Sequence, residues 1–211
     1  MERYLNDDFL FYINFLIVSG PFSNRRTAIM SLLVILIIVS LLILNKKNWS
    51  TREKCFKTAV WMYLYFIFLY TFLNREQKSD FDYNLMPFWS YQHIFSTHDF
   101  WIVLQVLVNC VMLVPLGILV PWAYENYLHE DAKKKRNTVL LFGLIVSVSI
   151  ECLQLFTKTG MFEWDDIFHN MIGVIVGYGI YLSLKGKRFW EVHRYFLPMI
   201  AVLLTLLVAM T

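Results

Sequence analysis

The segment SIECLQLFTKTGMFEWDDIFHN, Ser149 to Asn170, sets Glu151 and Gln154 inside an apolar run and Asp165, Asp166 and Asn170 at the head of the next. An ionised carboxylate in such surroundings is costly unless it faces a bundle interior, finds a partner or takes up a proton. Two chemistries suit Glu151 and Asp166: general acid or base, and recognition of a ligand's polar groups. The structural alternatives are a buried pairing for Glu151 and, for Asp165, the capping of a helix N-terminus. Arg75, just beyond an earlier apolar run, is a guanidinium able to neutralise one of these acids while keeping donors for an anionic ligand. Glu151, Asp165, Asp166 and His169 include suitable metal ligands, but no fixed-spacing motif joins them, so neither a metal nor a cofactor is expected. His169 projects about 100° from Asn170 on a helix and reads as a packing residue. His93 and His98 have no catalytic partner at fixed spacing, and no nucleophile or phosphate-loop motif occurs.

Spacing gathers these residues. Ser147, Glu151 and Gln154 form one helical stripe, and Asp166, Asn170, Gly173 and Gly177 form another. The glycines on the second stripe would let a neighbouring backbone approach closely. Asn109 lies on a third apolar segment at a similar depth, so Arg75, Asn109, Gln154, Asp165 and Asn170 are the candidate ligand-binding groups around Glu151 and Asp166. Two prolines, Pro115 and Pro121, predict a kink in that third segment. The stretch Asn84 to Tyr91, NLMPFWSY, reads as a loop re-entering or resting on the membrane interface.

The elements that must hold such a site are membrane helices. The chain is 58% hydrophobic and 18% aromatic with 17% charged residues, a composition too apolar for an ordinary soluble domain. The expected fold is an all-α polytopic membrane helical bundle of about six transmembrane helices. Five strong spans are Thr27 to Leu44, Thr58 to Leu73, Phe100 to Tyr124, Thr138 to Phe156 and Asp166 to Leu184; a sixth, Tyr195 to Met210, is short. Leu5 to Val18, ending at Gly20-Pro21, reads as a short interfacial or re-entrant helix and not as a removable signal peptide.

Basic residues concentrate in loops 45–57, 125–137 and 185–194, which the positive-inside rule assigns to the cytoplasm; loops 74–99 and 157–165 are acidic and face outward. Arg25 and Arg26 read as an interface anchor, as does the run Lys133 to Arg136. If the fourth span enters from the cytoplasm at Thr138, Glu151 lies about 20 Å along it, in the outer half of the bilayer. The net charge of +3 is too small to argue for nucleic acid. Cys55, Cys110 and Cys152 have no disulfide or redox spacing and read as small buried hydrophobes.

Arg75 with Asn84-Leu85-Met86-Pro87-Phe88, then Asn109 with Val114-Pro115-Leu116-Gly117, then Ser149-Ile150-Glu151 with Gln154, then Asp165-Asp166 with Asn170, Gly173 and Gly177-Tyr178, resembles the VanZ-like family. The resemblance covers the second to fifth spans. The domain expected from it is a VanZ-like transmembrane domain over 27–184; the N-terminal interfacial segment (1–26) and the C-terminal transmembrane helix (185–211) lie outside the resemblance. It also implies a bacterial plasma-membrane protein of the cell envelope, associated with lowered susceptibility to glycopeptides such as teicoplanin. One departure stands out: members usually carry an arginine between the glutamine and the aspartates, whereas this chain has Met161 there and Lys158 nearby. The leading expectation is an outward-facing polar site for an envelope lipid or lipid-linked cell-wall precursor. The second is an enzyme modifying such a lipid, with Glu151 or Asp166 as acid or base and Arg75 holding the anion. A transporter is the third, and it would need a polar route through inner halves that are almost wholly apolar.

Overall fold

The computed structural model describes residues 50–73, 79–128 and 131–211, with 34, 35 and 39 as isolated positions. The N-terminal segment 1–26, nearly all of the predicted first span and Arg75 lie outside the described residues.

Helix α1 (Thr51–Phe68) opens on a reciprocal cap: the Glu53 N–H donates to Ser50 Oγ at 3.2 Å, and the Ser50 N–H donates to the Glu53 carboxylate at 3.0 Å. Because that cap lies outside the apolar run, the helix begins at Thr51 and not at the Thr58 that hydropathy suggests. Its far end loosens into a π-helical turn, Leu69–Leu73, where the Thr71 hydroxyl donates back to the Ile67 carbonyl at 2.7 Å. The following loop holds a short strand, β1 (Asp82–Asn84), and a helix, α2 (Trp89–Thr97). Around them Phe81, Tyr83, Leu85, Met86 and Phe88 stay exposed, in keeping with a segment that rests on a membrane interface.

Helices α3 (Phe100–Met112) and α4 (Val114–Ala123) form one apolar rod broken at Leu113. Pro115 causes the break by removing a backbone donor, and the Tyr63 hydroxyl donates to the Met112 carbonyl there at 2.6 Å. Pro121 sits inside α4 without ending it. Helix α5 (Ala132–Thr157) is capped by Asp131, and strand β2 (Met161–Glu163) leads into α6 (Trp164–Leu184). The chain closes with α7 (Phe189–Val192), a 3-10 turn (His193–Tyr195) and α8 (Leu197–Ala209).

Three stretches are long and apolar enough to cross a membrane, namely Phe100–Ala123, Ala132–Thr157 and Trp164–Leu184. The 189–195 segment and α8, bent by 48°, make a fourth if they act as one. Alone, α8 measures about 20 Å, short of a hydrocarbon core of about 30 Å. The described residues thus supply three or four of the six expected spans; α1, with Arg52, Glu53, Lys54 and Lys57 in its first two turns, is not among them.

Helix α6 is the centre. It gives Val174, Tyr178 and Tyr181 to a core shared with α1, α4 and α5, and Ile172 and Val176 to a second core shared with α2, α3 and α8. Its glycines make the first contact possible: a Cβ at Gly177 would collide with the Val114 carbonyl, and one at Gly173 would lie 2.6 Å from the Cys110 carbonyl oxygen. The backbone of α6 therefore packs directly onto the break between α3 and α4, as the glycine spacing predicts. Of the cysteines, all free, Cys110 is buried and Cys152 half-buried, but Cys55 is exposed because it falls on the outer side of α1.

The loops gather at the two ends of the helices. At one end β1 and β2 pair in parallel, Asp82 opposite Met161 and Asn84 opposite Glu163, joining the two acidic loops. At the other, Glu125 pairs with Lys185 at 2.5 Å and Arg52 at 4.0 Å, so the three basic loops meet. This grouping is the one the charge pattern predicts.

Candidate functional site

A cavity of about 380 Å³ lies under the β1–β2 end. One side is α3, which offers Trp101, Gln105, Asn109 and Met112, a stripe with helical spacing. Opposite stand Glu151 and Gln154 of α5, with Tyr70 and Thr71 from the π-helical turn. The floor of the mouth is the β2 segment, contributing Thr159, Gly160, Met161 and Glu163, and Asp166 enters from the first turn of α6.

Glu151 is almost fully buried, and its Oε2 accepts a hydrogen bond from the Glu163 N–H at 3.2 Å. It thereby holds the turn into α6 while its carboxylate borders the cavity. Asn109 borders the cavity and keeps a buried side-chain nitrogen with no hydrogen-bond partner among the described residues. Gln154 is buried at the same wall. The Gln105 amide nitrogen lies 3.4 and 3.5 Å from the two oxygens of Asp166, spanning the cavity mouth.

Glu163 is the least expected member. Burial pushes its carboxyl up to about 7, helped by the neighbouring Asp166 charge, opposed by a hydrogen bond from Gln105, and raised further by Asp165 and Asp82. Its Oε2 is buried without a hydrogen-bond partner among the described residues. On the sequence it is a loop charge; only the β1–β2 pairing turns it inward. Gln105, also missed, sits four residues before Asn109, and the i,i+4 rule that grouped the other stripes would have found it.

Two of the sequence candidates serve the frame. Asp165 accepts the Phe88 N–H at 2.7 Å and the Ser90 N–H at 2.8 Å, so it caps α2 across the fold and does not line the cavity. Asn170 lies deeper, fully buried, where its amide donates to Ser147 Oγ at 3.1 Å. The two polar stripes thus meet through Ser147 and Asn170, while Glu151 engages the backbone at Glu163. His169, also fully buried, shares a 2.8 Å hydrogen bond with the Tyr91 hydroxyl, a packing role.

Where the family resemblance leads one to expect an arginine, Met161 faces the cavity. Lys158 does not replace it: its ammonium donates to the Ser79 carbonyl at 2.8 Å and lies 4.7 Å from the centre of the Phe81 ring. The described lining contains three carboxylates and three side-chain amides but no lysine or arginine. No group of three His, Cys, Asp or Glu residues arranged to hold a metal occurs among the described residues.

Apolar helices around a buried polar cavity near one end define a helical membrane protein. Within that class the assignment is narrower: the VanZ/LLP1 family model matches residues 55–185, well over half of the chain, and the chain belongs to this family. No curated protein and no solved structure matches it.

Proposed function

We propose that this is a bacterial plasma-membrane protein whose cavity holds the polar head of an envelope lipid or lipid-linked cell-wall precursor. The β1–β2 end faces outward and the basic end faces the cytoplasm, following the loop charges. The observation that carries this reading is the convergence of Glu151, Glu163 and Asp166 with Gln105, Asn109 and Gln154 around 380 Å³ at the end of the apolar helices. Such acceptors and amides suit the hydroxyl, amide and amine groups of a glycosylated or aminoacylated head. Lowered susceptibility to teicoplanin-type glycopeptides follows if holding that head shields or depletes the antibiotic's target. Arg75 remains the candidate for the phosphate of such a lipid.

Native mass spectrometry of the purified full-length protein tests this. A retained envelope lipid should be lost on Asn109→Leu and on Gln154→Leu, both of which leave the described hydrogen bonds of the frame intact. Unchanged lipid profiles in both variants would refute the reading.

The Glu163–Asp166 neighbourhood favours a second reading, an enzyme acting on the same head. A carboxyl poised near neutrality beside another acid is the arrangement general acid–base catalysis uses. Turnover of a headgroup-labelled lipid that Glu151→Gln, Glu163→Gln or Asp166→Asn abolishes, with binding retained, would establish it. Transport has less support: among the described residues, the interior between the cavity and the basic end is filled by Leu113, Leu116, Val139, Val174 and Tyr178.

A further inference from the structure

A second cavity, of about 120 Å³, lies at the basic end, away from the site described above. Four cations border it: Lys133 and Arg136 from the first turns of α5, and Lys187 and Arg194 from the segment after α6. The single carboxylate there, Glu191, lies 3.8 Å from Lys187 and 3.3 Å from Arg188, so cations outnumber acids. Buried Tyr178 and Tyr195 form its base, their rings 5.5 Å apart, and the Tyr195 hydroxyl accepts from Arg194 at 3.4 Å. Arg136 spends part of its guanidinium on the neighbouring Asn137 side chain, at 3.1 and 3.2 Å.

Helix stability does not explain these charges. Lys133 to Arg136 crowd the N-terminal turns of α5, where the helix dipole disfavours cations and where Asp131 already caps the backbone N–H groups of Lys133 and Lys134. A general attraction to the membrane surface would need basic residues at this end but no shared concavity built from two chain segments. The depth of the cavity is marked by α7, whose Phe189 and Trp190 are 70% and 78% exposed beside it, as aromatic residues are at the level of lipid headgroups.

We propose that this cavity binds the phosphate of an anionic membrane lipid. The rim cations make charge-assisted hydrogen bonds to the phosphate oxygens, and the interfacial aromatics keep the acyl chains in the adjoining bilayer.

The test uses the full-length protein in detergent, with phosphatidylglycerol, phosphatidylcholine and inorganic phosphate as probes, read by native mass spectrometry and by melting temperature. Phosphatidylglycerol should be retained over phosphatidylcholine. Its retention should fall about tenfold or more in Arg136→Gln/Arg194→Gln. It should change less than about twofold in Lys134→Gln/Lys135→Gln, which removes the same charge from the same basic run outside the cavity. If the first pair lowers the lipid-free melting temperature, the rim variant Lys187→Gln provides the reading, with a loss of about threefold to fivefold. Equal losses in the two double variants, or no preference for phosphatidylglycerol, would overturn the site. Protection by inorganic phosphate matching that by phosphatidylglycerol would overturn the lipid as its ligand.

Discussion

The two ends of this bundle treat charge in opposite ways. Under the β1–β2 pair the ionisable groups are carboxylates turned inward, Glu151 and Glu163 being 2% and 4% exposed. At the other end they are mostly cations turned outward: the Arg52 and Lys187 side chains are 56% and 55% exposed. Arg52 and Lys185 lie 4.2 and 4.3 Å from the centre of the Trp122 ring. Exposed cations over aromatic rings cost little and set orientation at an interface. Buried acids cost stability, so several of them around one cavity mark a candidate site. The comparison therefore separates an end whose acids are buried around a cavity from an end whose cations are mostly exposed, with Glu53 and Lys57 its buried exceptions at 8% and 1%.

Substitutions can break that contrast, and the largest effect belongs to Asp165→Ala. It strips two backbone N–H groups of a charged acceptor and should cost about 3–5 kcal/mol in chemical denaturation, with α2 released from α6. Titration should come next. The folded Glu163 carboxyl near 7 lies above its ordinary value of 4.5, so its protonated form is the one the fold favours. Stability is then complete below about pH 4.5, declines as pH rises toward 7 and levels off above, a span on the order of 3 kcal/mol. Glu163→Gln should flatten that decline, and a slope unchanged by this variant would show that another group carries it. At the basic end Trp122→Leu should cost about 1–2 kcal/mol, since two cations and the stacked Phe56 ring lose their partner. Smallest is Lys185→Gln, which removes a partly exposed ion pair with Glu125 and should shift stability by no more than about 1 kcal/mol.

Helical periodicity carries information over long apolar segments, so much of the frame was legible in the sequence. The Ser147–Glu151–Gln154 stripe, the close approach at Gly173 and Gly177, the break at Pro115 and the sorting of loops into two ends all follow from spacing and charge. Three-residue strands have no such period. The pairing of β1 with β2 exists only in three dimensions, and with it goes the burial of Glu163, which looks like any other loop acid when read along the chain. Asp165 illustrates the same limit: its composition and place suit a cap for its own helix, yet the helix it caps lies 77 residues earlier. Hydropathy also misjudged the start of α1, because the Ser50–Glu53 cap is polar and lies outside the apolar run.

The parallel strand pair has a consequence for biosynthesis. During insertion the segment bearing β1 emerges long before β2 is made, and its unpaired edge must wait while α3, α4 and α5 are threaded. The helices that wall the cavity are made before α6, which packs them together, so the cavity is complete only when Glu163, Asp165 and the rest of α6 arrive. A ribosome stalled before that point would leave a polypeptide already integrated in the bilayer with its cavity incomplete. Chains halted there would be recognisable by a protease-sensitive 82–88 segment.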